Sequence, residues 1–211
     1  MKDLFRLDSP WVQRFAMLTN LVCLNVLWLI CCLPVFTIGA ATSALYSTVF
    51  LYHSKEDDAV LRPFFRALKE NFKQATLLWL PLLAVMALLA FDILYLSARG
   101  TATAIIFVLM VLGVFVAGIG VHLFPLIARF QMDTKALLRT AFSLMVLHLP
   151  STVLVIALTV LPFVCLFVLP SLFLRVGVLW AGVWFSGIAY FYGKFLLHIW
   201  EKHTPAEQEE T

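Results

Sequence analysis

Between residues 15 and 197 the chain passes through one apolar stretch after another, each long enough to cross a bilayer, and nearly every charge falls in the gaps between them. That pattern fixes the solvent before it fixes anything else. A hydrocarbon core of about 30 Å takes about 20 apolar helical residues per crossing. Hydrophobic residues make up 63% of the chain and charged residues 13%, against about 45–50% and about 25% in soluble domains. Surface that apolar has to face lipid, where the backbone must satisfy its own hydrogen bonds in helices or a closed barrel. The apolar runs are continuous rather than alternating, which excludes the barrel. The expected fold is therefore all-α and polytopic, with one helical membrane domain over residues 1–200 and a polar cytoplasmic tail over 201–211. Residues 1–15 carry Asp3 and Asp8 and no small-residue cleavage site, so they read as a retained lead-in and not a signal peptide.

The spans expected from the sequence are 15–33, 35–53, 74–97, 101–125, 140–169 and 176–197. Pro34 breaks the first from the second, because the residue before proline avoids helical geometry. The 35–53 stretch is the least apolar, with five Ser and Thr residues, and could re-enter the membrane without crossing it. Charge decides between the two arrangements. With six spans and both termini inside, 13 of the 15 Lys and Arg lie on the inner side, and Arg99 and Arg175 lie outside. With five spans the split falls to 10 against 5. Positive residues in short loops favour the cytoplasm, so six spans are expected. Gly39, Ser43 and Ser47, and likewise Ala40, Ala44 and Thr48, recur every four residues. Small residues at that interval let helices approach closely in lipid, which suits a second helix buried among the others.

Residues 61–73 carry the clearest local pattern. At 3.6 residues per turn Leu61, Phe64, Phe65, Leu68 and Phe72 share one arc, and Arg62, Arg66, Lys69 and Lys73 form a second stripe beside it. This predicts an amphipathic basic cytoplasmic helix lying along the inner membrane surface, as a topology anchor or a docking surface. Polar side chains inside spans are the other candidates, because they are costly in hydrocarbon. Asn20 and Asn25 lie on the first helix and are expected to bond across helices. Asp92 lies in the outer half of the third span, with Arg99 near the same face as an expected interfacial partner. Lys194 lies inside the end of the last helix, where it can snorkel to the interface. His53, His122, His148 and His198 all fall toward inner helix ends and are expected at the interface. Cys23, Cys31, Cys32 and Cys165 read as small packing residues.

No Walker A loop, GxSxG, HExxH or paired-carboxylate motif occurs in the sequence. No enzyme activity, metal, cofactor or nucleic-acid partner is expected. A lipid bilayer is the one partner that composition itself demands.

Two clusters of residues resemble a known family. The first is Asp8-Ser9-Pro10, Asn20-Leu21, Leu24-Asn25, Trp28, Leu33-Pro34, Thr37-Ile38-Gly39-Ala40-Ala41 and Ala44-Leu45-Tyr46. The second is Phe64-Phe65, Lys69, Asn71-Phe72-Lys73-Gln74-Ala75 and Trp79-Leu80. Together they resemble the YesL-like integral membrane proteins of Gram-positive bacteria, a family without an assigned biochemical function. The resemblance implies a plasma-membrane location and a frequent genetic association with carbohydrate-uptake transporters and their two-component regulators. It implies no catalytic residues. The leading expectation is an accessory protein that assists a carbohydrate ABC transporter or a sensor kinase. The alternative is a small-solute permease with a polar path joining Asn25, Asp92 and Lys194, its span prolines Pro150 and Pro162 exposing carbonyls.

Overall fold

The computed structural model describes residues 10–54, 60–100 and 103–203. The lead-in over residues 1–9, the charge run at 55–59 and the tail from 204 onward lie outside the described residues. The described chain is helical nearly throughout. α1 covers Pro10–Cys32, α2 Ile38–Ser54, α3 Leu61–Ala98, α4 Thr103–Arg129, α5 Thr134–Leu147, α6 Leu149–Val168, α7 Pro170–Leu179 and α8 Phe185–His203. A π-helical segment, Trp180–Trp184, joins α7 to α8, so the three form one continuous final span. Six helices among the described residues are long and apolar enough to cross a membrane, and Val35–Ser54 is one of them. The all-α, polytopic fold with six candidate spans is thus the one the sequence implies.

α2 is the centre of the bundle. It packs against α1, α3, α4 and α8, and more than half of its span is covered by protein. Its small residues explain this. Gly39, Ala40, Ala41, Ser43, Ala44 and Thr48 are all buried, so neighbouring helices close directly onto its backbone. Gly39 is the tightest point. A Cβ there would lie 2.6 Å from the Trp79 Cβ and 3.0 Å from the Ala75 carbonyl oxygen. The chain enters α2 through a short 3₁₀ turn, Val35–Thr37, after Pro34. Thr37 donates its hydroxyl to the Cys31 and Pro34 carbonyls at the end of α1, and Trp79 Nε1 donates to the Val35 carbonyl at 2.8 Å. Side chains thus bond carbonyls on both sides of the proline break.

Three elements differ from the sequence expectation. The last span starts at Pro170 and not at 176, since residues 170–175 are helical. The fifth span is shorter than 140–169. α5 ends at Leu147, His148 takes φ −119° and ψ 37°, and α6 starts at Leu149 with Pro150 in its first turn. Proline is tolerated where the helical N–H would be free in any case, so Pro150 starts a helix here and does not sit inside one. The basic segment 61–73 is helical, but it is the first third of α3 and not a separate surface helix. α3 has 38 residues, roughly 57 Å at about 1.5 Å per residue, nearly twice the hydrocarbon thickness. The segment therefore continues the third span beyond the bilayer core. Gln74 anchors the junction by donating to the Met132 carbonyl at 2.9 Å. At the other end of α3, Gly100 takes φ 63° to make the turn toward α4, a conformation that glycine adopts without steric cost.

The close contact at Gly39 sets a prediction. Gly39→Ala pushes α2 away from α3 and should cost about 1–3 kcal/mol, the usual scale of overpacking. Gly113→Ala, where an added Cβ meets nothing within 4 Å, should be neutral. Thermal unfolding in detergent followed by circular dichroism distinguishes them, and equal midpoints would show that the α2–α3 contact is slack.

Candidate functional site

Four buried polar side chains, Asn25, His122, Thr152 and Ser186, lie where the last span meets α1, α4 and α6, and two more, Ser43 and Thr48, lie on α2. Asn25 is fully buried on α1, and its carboxamide is inserted into the backbone of the last span. Its Nδ2 donates to the Ala181 carbonyl at 2.7 Å, and its Oδ1 accepts from the Ser186 backbone N–H at 2.9 Å. In a regular α-helix Ser186 N–H would bond the Gly182 carbonyl, and in a π-helix the Ala181 carbonyl. Asn25 stands between that donor and that acceptor and satisfies both. The π-segment Trp180–Trp184 sits directly at this insertion. Ser186 completes the junction by donating its hydroxyl to the Leu21 carbonyl at 2.8 Å. The expectation that Asn25 bonds across helices is met, with backbone groups as its partners.

A second interhelical bond repairs a proline. Pro162 lies inside α6 and has no N–H to offer the carbonyl four residues earlier. That carbonyl belongs to Leu158, and it accepts from Trp184 Nε1 at 3.0 Å. The carbonyl exposed by Pro162 is thus bound by protein, in the way prolines are accommodated in membrane helices.

The third feature is a chain of hydrogen bonds around His122. This residue is buried between helices, not at the interface where its position near the end of α4 would place it. Thr152 donates its hydroxyl to the His148 carbonyl at 2.9 Å. Its oxygen is therefore an acceptor for His122 Nε2, 2.8 Å away. That assigns the ring proton to Nε2 and leaves Nδ1 to accept from the Tyr192 hydroxyl at 3.1 Å. Tyr192, His122 and Thr152 thereby link α8, α4 and α6 in one direction of donation. Neither this chain nor the Trp184 bond is visible in the sequence, because no spacing rule connects residues on three separate helices.

Between the Asn25 junction and Tyr192 lies a lateral groove of about 660 Å³ between α1, α6 and α8. Its walls include Leu21, Leu154, Leu158, Gly187, Phe191 and Phe195. The polar groups that reach it are engaged. Ser151 donates to the His148 carbonyl, Tyr192 to His122 and Trp184 to Leu158.

The remaining sequence candidates are dispersed. Asn20 is half-buried beside a small cavity of about 20 Å³ that Tyr52 and Tyr190 also line. Asp92 is half-buried on α3, a helix whose main contacts are with α2 and α4. Arg99 does not pair with Asp92; its guanidinium lies 4.5 Å over the Tyr95 ring. Lys194 is exposed on α8. Asn25, Asp92 and Lys194 therefore do not converge on one path.

On α3 the basic stripe Arg62, Arg66, Lys69 and Lys73 is exposed along its whole length. Arg66 Nε donates to Glu70 Oε1 at 2.9 Å, a solvent-exposed pair that water and salt screen. The apolar arc beside it is divided. Phe64 is fully buried and Leu68 packs against the core, whereas Leu61, Phe65 and Phe72 stay exposed.

The fold defines a polytopic all-α membrane protein whose interior polar groups tie its helices together. Residues 21–93, which hold Asn25, α2 and the basic stripe, match the model of a family described as "Protein of unknown function, DUF624". The chain is 28% identical over 167 residues to the uncharacterized protein YteU of Bacillus subtilis (strain 168), covering 77% of this chain and 72% of that protein. Both matches agree with the YesL-like resemblance and its unassigned function. No solved structure matches the chain.

The Asn25 insertion gives a direct test. Asn25→Leu leaves the Ser186 N–H and the Ala181 carbonyl without their partner, at about 1–3 kcal/mol for each buried group left unsatisfied. A clear drop in thermal midpoint is expected, larger than that of Asn20→Leu. An unchanged midpoint would show that the π-segment closes on itself without Asn25.

Proposed function

We propose that this protein is an accessory of carbohydrate uptake in the plasma membrane, assisting a carbohydrate ABC transporter or its sensor kinase and having no enzyme activity of its own. The observation that carries the reading is the exposed double stripe at the start of α3. Leu61, Phe65 and Phe72 stay uncovered beside four exposed cations, on a rod continuous with a span. Such a face matches an anionic leaflet, where each cation contributes about 1 kcal/mol, and equally an acidic face of a neighbouring protein. The link to carbohydrate uptake rests on the YesL-like resemblance. The permease reading has less support, because the residues that would form its path are apart and Asn25 is spent on backbone groups.

Both termini and the basic stripe are assigned to the cytoplasm, since an even number of spans returns the chain to its starting side and 13 of the 15 Lys and Arg then lie there. A reporter fused after Gly100 should be accessible from outside and one at the C-terminus only from inside; the reverse pattern would overturn the orientation.

Crosslinking from the stripe in native membranes tests the role. Captured proteins should include subunits of a carbohydrate transporter or its sensor, and the combined Arg62→Gln, Arg66→Gln, Lys69→Gln and Lys73→Gln variant should lose them at equal expression. Recovery of lipids and self-contacts alone would count against the accessory role.

A further inference from the structure

Helical spacing puts Lys194 at the edge of the lateral groove on the last helix, on the side that Gly187 marks. Gly187 lines the groove, and Lys194 follows it by seven residues, two helical turns further along nearly the same face. Phe191 and Phe195, both groove residues, lie on one side of that line, and His198 lies one turn beyond Phe195. Lys194 and His198 are both exposed. The groove thus runs from an apolar middle to a cationic rim. It also lies in the half of the bundle that carries the basic stripe. It is built from Met17–Leu21 early in α1, Ser151–Leu158 early in α6 and the part of the last span that follows the π-segment.

We propose that this groove is a binding site for one phospholipid, with an acyl chain between α1, α6 and α8 and an anionic headgroup at Lys194. Three observations select that occupant. Its volume of about 660 Å³ falls in the range of about 300–1,000 Å³ typical of ligand sites. Its polar groups, Ser151, Trp184 and Tyr192, have their hydrogen bonds made within the protein, so nothing is left to bind a sugar's hydroxyls and a hydrocarbon chain leaves nothing unpaired. The positive charge at the rim complements a phosphodiester, and the groove opens sideways between helices, the direction from which a bilayer lipid arrives. The Asn25 insertion gives the groove its form, since Leu21 and Val183, on either side of that junction, both line it. The site stands whichever protein partner is assisted.

Gly187 offers the means of testing it. A Cβ at this position meets nothing within 4 Å, so Gly187→Leu projects into the groove without a clash. The protein is exchanged into nanodiscs holding equal parts of phosphatidylglycerol and phosphatidylethanolamine, re-extracted in mild detergent, and its retained lipid quantified by mass spectrometry. The wild-type protein should keep about one phospholipid, enriched in phosphatidylglycerol. Gly187→Leu should lower retention at least fivefold, and Lys194→Gln should keep the lipid but lose the enrichment. Should Gly187→Leu fail to fold, Leu154→Trp fills the groove from the opposite wall and is judged by the same loss. A photo-reactive residue at Leu158 should form adducts with phospholipid. Retention unchanged in a folded groove-filling variant, enrichment unchanged in Lys194→Gln, or adducts with polypeptide in place of lipid would each overturn the proposal.

Discussion

The insertion of one carboxamide into another helix's backbone holds the first and last spans of this bundle together. Asn25 bridges a carbonyl and an N–H of the last span that stand five residues apart, the spacing of a π-helical bond. In hydrocarbon no water replaces a missing partner, so the exchange is stable only while α1 and the last span stay in register. Several other features follow from it. The π-segment marks the place where the helical ladder is opened, Ser186 ties the next turn back to Leu21, and the groove lies just beyond. The Trp184 bond to Leu158 then brings α6 to the same junction.

Two kinds of cohesion divide the bundle between them. Around α2 the helices are held by closeness, with alanine, glycine and serine letting backbones approach where larger residues would stand between them. Around the last span they are held by directed bonds: Asn25 to α8's backbone, Trp184 to a proline-freed carbonyl, and His122 between Tyr192 and Thr152. The first kind covers more than half of the central span. The second tolerates space between helices, and the lateral groove occurs where it prevails.

The sequence makes the fold legible to the extent that lipid dictates it. Apolar length predicts the spans, and the four-residue repeat of small side chains marks α2 as the helix that others surround. Helical spacing likewise places Arg62, Arg66, Lys69 and Lys73 on one exposed stripe. A helical wheel gives direction but not neighbours, so it shows neither that Phe64 and Leu68 turn to the core nor that Leu61, Phe65 and Phe72 do not. Asn25 stands out in a span because of its cost there, yet its acceptor is 156 residues away in sequence. Backbone groups carry no side-chain signature by which to find them. The same holds for His122, whose place near a helix end reads as interfacial until Thr152 and Tyr192 are seen against it. Pro150 misleads in the other direction, since a proline in an apolar run can either bend a span or begin one.

The burial of α2 has a consequence for how the protein is made. Its flank of glycine, alanine and serine is a poor match for acyl chains, and α2 is the least apolar of the six membrane-length helices. Released alone from the insertion machinery, it would present that flank to lipid. Its neighbours α1 and α3 adjoin it in the chain as well as in space, so the three can leave the ribosome's exit route as a single helical package. Biogenesis is then a problem of timing, with the third helix emerging before the second is let go.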